Sequence, residues 1–209
     1  MVKRVLCFGN SNTWGYIPGI GERFDYNSRW AGILAQSLNG KYQIIEEGLN
    51  GRTIAWDDPT HNGRNGLKYL IPCLETHRPL DIVIIFLGTN DLKNYFNGSI
   101  QDIANNMDKM IKIIKDVQYG SNGNPPQILL LSIPHISKID RRDSSFINAR
   151  EKSIRLTALY QEIALNNHIK FLDITATIKP SSIDGVHLNK ENHQKLAQLL
   201  IQKIKEIEN

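Results

Sequence analysis

The sequence predicts an α/β protein, a three-layer α/β/α sandwich with a five-stranded parallel sheet. Five short apolar runs alternate with segments of helical period, as in a parallel sheet that carries helices on both faces. The third run, residues 82–87, has no polar interruption, as expected for a strand covered on both sides. The chain of 209 residues is long enough for one sizeable core and shows no linker, so a single domain is expected over residues 1–209.

The strands and the clearest helix can be placed from periodicity. Strands are predicted over residues 2–8, 42–46, 82–87, 128–132 and 169–173. The clearest helix spans residues 100–117, where apolar side chains recur at i, i+3 and i+4. Ser99 and Asp102 give this helix the capping box that is typical of a helix start.

The remaining helices have weaker patterns. They are predicted over residues 30–38, 63–77, 144–166 and 196–207. Asn27 or Ser28 is expected to cap the first of them, and Pro72 is expected to interrupt the second. Residues 119–126, rich in Gly, Asn and Pro, are interpreted as a loop.

Composition narrows the class of function. The formal charge of +4 comes from basic residues that are scattered apart from Arg141-Arg142, whereas nucleic-acid-binding proteins concentrate them on one face. No apolar segment is long enough to span a membrane, and the one behind the N-terminus is too short for a signal peptide. Cys7 and Cys73 are interpreted as reduced core residues. We therefore expect a cytoplasmic protein with no membrane span that binds no nucleic acid.

Three residues from opposite ends of the chain carry the predicted chemistry. Ser11 follows the first strand, so it should lie at the carboxyl edge of the sheet, where ligands bind in such folds. A serine hydroxyl is a weak nucleophile until a base takes its proton, and His187 is the candidate base. Asp184 would hold the imidazole in the correct tautomer. Their separation in sequence is no obstacle, because a Ser-His-Asp triad is defined by geometry.

Two further blocks are expected at the same edge. Residues 48–53 (GLNGRT) follow the second strand, and residues 88–91 (GTND) follow the third. A glycine lets its backbone N–H approach a ligand closely, and an asparagine side chain offers an uncharged N–H donor. Donors of this kind are what an oxyanion hole requires.

The four blocks together resemble the SGNH (GDSL-type) hydrolase family. The blocks occur in the family's order and span nearly the whole chain; they read Gly-x-Ser, Gly, Gly-x-Asn-Asp and Asp-x-x-His. The resemblance implies the flavodoxin-like fold of that family, with Ser11 as nucleophile and Asp184 and His187 completing the triad. It also implies an oxyanion hole formed by the N–H groups of Ser11 and Gly51 and by the side chain of Asn90.

Within the family, the arylesterase/acyltransferase branch is the most similar. This similarity lies in two segments, Thr-Trp-Gly at residues 13–15 and Leu-Gly-Thr-Asn-Asp at residues 87–91. It implies small-molecule esters of short acids as substrates, acyl transfer to water, alcohols or peroxide, no cofactor, and homo-oligomers. A carbohydrate O-acetyl esterase and a lysophospholipase-like enzyme use the same constellation and stay open as alternatives.

The first block departs from the family at one position. Its usual Gly-Asp-Ser is replaced by Gly9-Asn10-Ser11. Asparagine is nearly isosteric with aspartate and keeps one acceptor oxygen, but it has no charge and presents an NH₂ group instead of the second oxygen. The hypothesis is that Asn10 loosens the oxyanion loop and gives a working but slower enzyme.

Pocket and metal residues are less well defined by the sequence. Four aromatic residues near the catalytic blocks suit an apolar acyl or alcohol pocket, with plain packing as the alternative: Trp14, Tyr16, Trp56 and Phe96. The other histidines share no spacing with carboxylates or cysteines that indicates a metal, so no metal site is expected at His61, His77, His135, His168 or His193.

Two other classes of function stay open. A flavodoxin-like binding module would use Ser11, Asn12 and Thr13 to hold a phosphate, but it leaves Asp184 and His187 without a role. A catalytically silent relative would bind esters or glycans without turnover, with the asparagine of the first block as the defect. Labelling by a fluorophosphonate separates these classes, because only an activated serine reacts.

Overall fold

All five predicted strands form one parallel sheet in the computed structural model, which describes residues 2–121, 123–137 and 144–208. Their order across the sheet is β2-β1-β3-β4-β5. The strands are β1 (Lys3–Gly9), β2 (Tyr42–Gly48), β3 (Ile82–Phe86), β4 (Gln127–Leu131) and β5 (Lys170–Leu172). This architecture confirms the predicted fold class. Every residue of β3 is buried, as its unbroken apolar sequence predicts.

Helices cover both faces of the sheet. They are α1 (Ser11–Trp14), α2 (Trp30–Ser37), α3 (Gly66–His77), α4 (Ile100–Asp116), α5 (Ala149–Asn166) and α6 (Lys190–Glu208). Alternate residues of β1 point to opposite faces: Leu6 and Phe8 pack in a core with α3, α4 and α5, and Val5 and Cys7 pack in a second core with α2 and α6. Cys73 lies in the first core. Both cysteines are buried free thiols.

The strand order places the functional blocks together. Strand β1 lies between β2 and β3, and its last residue, Gly9, is paired with Gly48 of β2 and Phe86 of β3. The chain adds β2 on one side of β1 and all later strands on the other, so the order reverses at β1. Ligands of open α/β sheets bind at the carboxyl ends of the strands at such a reversal.

Helix α3 shows that the predicted interruption at Pro72 is wrong. The helix runs without a break from Gly66 to His77, and the Asn65 side chain caps it by accepting a hydrogen bond from the Lys68 N–H at 3.2 Å. Pro72 removes only the bond to the Lys68 carbonyl, and both residues are exposed, so water can hydrate that carbonyl. Packing of the opposite, buried face holds the helix together.

The cap predicted for helix α2 is also wrong. Neither Asn27 nor Ser28 caps it, and the Ser28 hydroxyl instead donates to Asp25 at 2.9 Å. The Trp30 N–H at the helix start donates to Nδ1 of His193, 3.2 Å away on helix α6. A partner 163 residues distant replaces the local cap, and local sequence carries no signal for it.

Helix α4 has the predicted capping box of Ser99 and Asp102. Helix α5 is shorter than predicted, because a separate 3₁₀ turn over Ser144–Phe146 precedes it and Asn148 adopts a left-handed conformation with φ 63°.

No helix among residues 2–121, 123–137 and 144–208 is both long and apolar enough to cross a bilayer. The Arg141-Arg142 pair and Asn122 of the predicted loop lie outside the described residues.

Candidate active site

Ser11 lies at the turn between β1 and helix α1. The Asn10 side chain caps this short helix by accepting a hydrogen bond from the Asn12 N–H at 3.0 Å. Gly9 is required at the end of the strand, since a Cβ there would lie 2.0 Å from the Thr13 hydroxyl oxygen. The turn therefore holds the Ser11 hydroxyl at the carboxyl edge of the sheet.

The structure brings Ser11, His187 and Asp184 into one hydrogen-bonded chain. Nε2 of His187 is 3.0 Å from the Ser11 hydroxyl oxygen, across 176 residues of sequence. Nδ1 of His187 is 2.8 Å from one carboxylate oxygen of Asp184. The other oxygen accepts hydrogen bonds from the N–H groups of Val186 and His187, at 3.0 and 2.9 Å. These distances and this order are those of a nucleophile, a base and an orienting carboxylate.

The environment of Asp184 keeps it ionised. Burial raises its pKa, but hydrogen bonds from the His187 side chain and from the two N–H groups outweigh burial, so the pKa lies below its ordinary value. A carboxylate in this state can hold the Nδ1 proton of His187 and stabilise the imidazolium that forms when Nε2 takes a proton.

Two residues that support His187 were not assigned this role from the sequence. Oδ1 of Asn12 accepts from the Leu188 N–H at 2.9 Å, and Nδ2 of Asn12 donates to the Val186 carbonyl at 3.4 Å. One side chain, on the helix that begins with Ser11, thereby holds both neighbours of His187. The Tyr16 ring stacks on the imidazole, with centroids 4.1 Å apart. The sequence indicates for Asn12 only a phosphate ligand of the alternative binding module, and for Tyr16 only a pocket residue.

Replacement of Asn12 by alanine should affect both stability and turnover. The change leaves the Leu188 N–H and the Val186 carbonyl without a partner in a buried site, which should cost about 1–3 kcal/mol in the free energy of unfolding. It also frees the loop that carries His187, and a displacement of about 1 Å at a catalytic group can cost about 10²-fold in rate.

Urea unfolding and ester hydrolysis measure the two effects of Asn12→Ala. The exposed Asn39 provides the matched control, since Asn39→Ala removes the same group far from any buried partner. Equal behaviour of the two variants would contradict the role assigned to Asn12.

The structure also brings Gly51 and Asn90 to the serine. Gly51 has φ 77° in a turn closed by a 3.1 Å bond from the Arg52 N–H to the Leu49 carbonyl, and this left-handed conformation favours glycine. No acceptor among the described residues pairs with the Gly51 N–H. Nδ2 of Asn90 donates one hydrogen to the Arg52 carbonyl at 3.0 Å, which orients the amide and leaves its second hydrogen available.

Asp91 links the loop that carries Gly51 to the segment that carries Asn90. It is fully buried, and its carboxyl group accepts from the Ile54 N–H at 2.9 Å, just after the loop that carries Gly51. Burial raises the pKa of Asp91 to about 7, although hydrogen bonds from Ile54 and Ala55 partly oppose the shift.

The raised pKa of Asp91 predicts a stability that falls with pH. The folded value of about 7 exceeds the unfolded value of about 4, so the folded state binds more protons between these limits and loses stability as pH rises through them. From pH 5 to 8 the expected loss is about 2–3 kcal/mol, and Asp91→Asn should lack this part of the pH dependence. Urea unfolding at the two pH values tests this, and parallel pH profiles for wild type and variant would contradict it.

A cavity of about 530 Å³ opens in front of the serine. Its lining includes Ser11, Gly51, Asn90 and His187, the groups described above. Its remaining wall is mixed in character, with the polar or charged Asn50, Asp58, His61, Arg64, Lys93 and Ser145 beside the apolar or aromatic Tyr16, Phe146 and Val186.

The structure brings one of the four predicted pocket aromatics, Tyr16, to this cavity. Trp56 and Phe96 stack on each other with ring centroids 6.2 Å apart, and the Trp14 ring lies 5.4 Å from the Arg23 guanidinium. None of these three is among the described residues that line the cavity. Their assignment to a substrate pocket stays a prediction.

Comparison with known proteins agrees with this geometry. Residues 7–195 match the model of the GDSL-like Lipase/Acylhydrolase family. The chain belongs to this family of ester-hydrolysing enzymes, which confirms the resemblance seen in the four sequence blocks.

The individual relatives differ in how much of their own length the chain covers. An aryl esterase from M. smegmatis is 36% identical, with a TM-score of 0.93, over 98% of this chain and 99% of its own. A carbohydrate acetylesterase from Sinorhizobium meliloti is 37% identical, with a TM-score of 0.92, over the same shares. An acetylxylan esterase from Xylanibacter ruminicola is 26% identical over 97% of this chain, which spans only 43% of the length of that relative.

Proposed function

We propose that the protein is a serine ester hydrolase that acts on esters of short acids through an acyl-enzyme on Ser11. The observation that carries the proposal is the continuous chain from the Ser11 hydroxyl through His187 to Asp184, at 3.0 and 2.8 Å. Membership of the acylhydrolase family supports the same chemistry. A phosphate-binding module would require neither the histidine nor the carboxylate at these distances.

The geometry supports a two-step reaction. Ser11 attacks the ester carbonyl while Nε2 of His187 takes the hydroxyl proton, and Asp184 stabilises the imidazolium. The imidazolium then gives its proton to the departing alcohol, which leaves an acyl-serine. In the second step His187 takes a proton from water, the resulting nucleophile attacks the acyl group, and the proton returns to Ser11. An added alcohol in place of water would make the same enzyme an acyltransferase.

The negative charge of each tetrahedral intermediate needs donors in fixed positions. We assign the oxyanion hole to three donors: the N–H of Gly51, the free hydrogen of the Asn90 side chain and the N–H of Ser11. Because the Arg52 carbonyl and the turn at Gly51 hold two of these donors before substrate arrives, little reorganisation is needed during the reaction.

The cavity favours a small acyl group and a polar alcohol. The lining includes Asp58, His61 and Arg64, which suit a hydroxyl-rich leaving group better than a long lipid chain. The similarity to carbohydrate acetylesterases supports an acetylated sugar as the natural substrate, and the similarity to an aryl esterase supports activity on aryl acetates.

A substrate panel tests this proposal. Hydrolysis of p-nitrophenyl acetate, butyrate and decanoate, acetylated xylo-oligosaccharides and a lysophospholipid should show the largest kcat/KM among the acetyl esters. A preference for decanoate or lysophospholipid would contradict the assigned substrate class. Absence of turnover and of fluorophosphonate labelling would contradict the enzymatic function itself.

Asn10 provides a further prediction about rate. Its Oδ1 keeps the cap bond to Asn12, but its Nδ2 is buried and has no acceptor among the described residues. Asn10→Asp removes this unpaired donor and makes the cap bond charge-assisted, a difference of about 1 kcal/mol. We expect a gain of about fivefold in kcat/KM for p-nitrophenyl acetate. No gain would show that the asparagine does not limit the enzyme.

A further inference from the structure

Three side chains of types that bind metal ions meet where helix α3 packs beside β2. Glu47 lies at the end of β2, and Cys73 and His77 lie one turn apart on α3. Their ligand atoms (a carboxylate oxygen, Sγ and an imidazole nitrogen) all lie within 4.8 Å of one another. Residues i and i+4 of a helix share one face, a spacing that the expectation of no metal site at His77 leaves out.

We propose that Glu47, Cys73 and His77 form a binding site for a divalent transition-metal ion of the zinc type. One thiolate, one imidazole and one carboxylate are the ligand types that Zn²⁺ takes, and three protein ligands leave a fourth position for water. Around such an ion the ligand atoms lie about 3.3–3.8 Å apart, so the three side chains need to move by no more than about 1 Å.

The charges of the cluster suit a divalent cation. Glu47 and a Cys73 thiolate supply two negative charges, and neutral His77 supplies none. Nε2 of His77 now lies 2.8 Å from Oε1 of Glu47, so the cation would take the place of the proton that these atoms share. On binding, the Cys73 thiol releases its proton to solvent and the His77 proton resides on Nδ1.

Arg52 is the charged neighbour of the Glu47 carboxylate. The Arg52 guanidinium lies 3.9 Å from Oε2 of Glu47, on the oxygen that does not face His77. Arg52 also donates to the backbone carbonyls of Gly9 and Glu47, and its guanidinium stacks on the Phe8 ring. Arg52 is therefore a well-anchored charged neighbour of the carboxylate, at ion-pair distance.

The site is accessible from solvent. Cys73 is buried, but the side chains of Glu47 and His77 are 18% and 23% exposed. An ion can therefore enter past the histidine and carboxylate, and a water molecule can complete its coordination. None of its three ligand side chains belongs to the Ser11 cluster, so the two sites can be tested with different variants.

Cobalt binding tests the proposal directly. Protein stripped with EDTA is titrated with Co²⁺, which should produce a cysteine-to-cobalt charge-transfer band in the near ultraviolet and the intense visible bands of tetrahedral cobalt. Added Zn²⁺ should abolish both. Cys73→Ser should lose the charge-transfer band. His77→Gln should weaken Co²⁺ binding by at least about tenfold, since loss of a direct ligand should cost no less than the ten- to hundredfold lost with an outer partner.

Matched variants distinguish this site from adventitious binding. Cys7→Ala removes the other buried thiol, and His168→Asn removes an exposed histidine, and both should bind Co²⁺ like the wild type. Because His77 is partly exposed, His77→Gln is not expected to impair folding, and circular dichroism checks this. Absence of the charge-transfer band in the wild type, or its persistence in Cys73→Ser, would overturn the proposal.

Discussion

Replacement of Ser11 by alanine is expected to lower kcat for p-nitrophenyl acetate by about 10⁴- to 10⁶-fold. The hydroxyl oxygen 3.0 Å from His187 is the nucleophile that forms the acyl-enzyme in the proposed mechanism, so its loss removes the acyl-enzyme route altogether. The residual rate would come from water activated by His187 and from the oxyanion donors. KM should change little, because alanine leaves the cavity intact.

Ser145 provides the matched control for this variant. It lines the same cavity, and no step of the mechanism assigns it a role. Ser145→Ala should keep kcat within a few fold of the wild type. A comparable loss in both variants, or a loss of less than about tenfold in Ser11→Ala, would contradict the assignment of the nucleophile.

The second large effect is expected from Asp184→Asn, about 10⁴-fold in kcat. The asparagine side chain keeps the size of the carboxylate but can present an N–H to Nδ1 of His187, which favours the wrong imidazole tautomer. It also removes the negative charge that stabilises the imidazolium at 2.8 Å. The variant protein should fold, since Oδ1 can still accept from the N–H groups of Val186 and His187.

Steady-state kinetics of Asp184→Asn measure this effect, with Asp57→Asn as the control for loss of a carboxylate. Asp57 is exposed, pairs with Lys68 at the surface and is not among the described residues that line the cavity. Wild-type activity in Asp184→Asn would show that the carboxylate is not part of the mechanism.

The features predicted from the sequence are those with a strong local pattern. The sheet follows from five apolar runs, and the place of Ser11 follows from the rule that ligands of parallel sheets bind at the carboxyl edge. The pairing of Ser11 with Asp184 and His187 follows from their residue types, which are those of a catalytic triad. Gly51 and Asn90 came from resemblance to a family, because a single glycine or asparagine in a loop carries no specific signal of its own.

The features that the sequence did not predict depend on contacts between residues that are far apart in the chain. Asn12 holds the His187 loop through bonds that span 174 and 176 residues, and the partner of the Trp30 N–H is on the last helix. The shift at Asp91 depends on complete burial, which the motif Asn-Asp does not reveal. The i, i+4 spacing of Cys73 and His77 was visible in the sequence, but their approach to Glu47 depends on how α3 packs beside β2.

The central claim is that His187 activates Ser11, and mapping of a covalent adduct tests it most directly. The wild-type protein is treated with a fluorophosphonate, digested and analysed by mass spectrometry. One phosphonyl group per chain is predicted, on the peptide that contains Ser11, with labelling strongly slowed in Asp184→Asn and absent in Ser11→Ala. An adduct on another residue, or ester hydrolysis that continues without any adduct, would contradict the account.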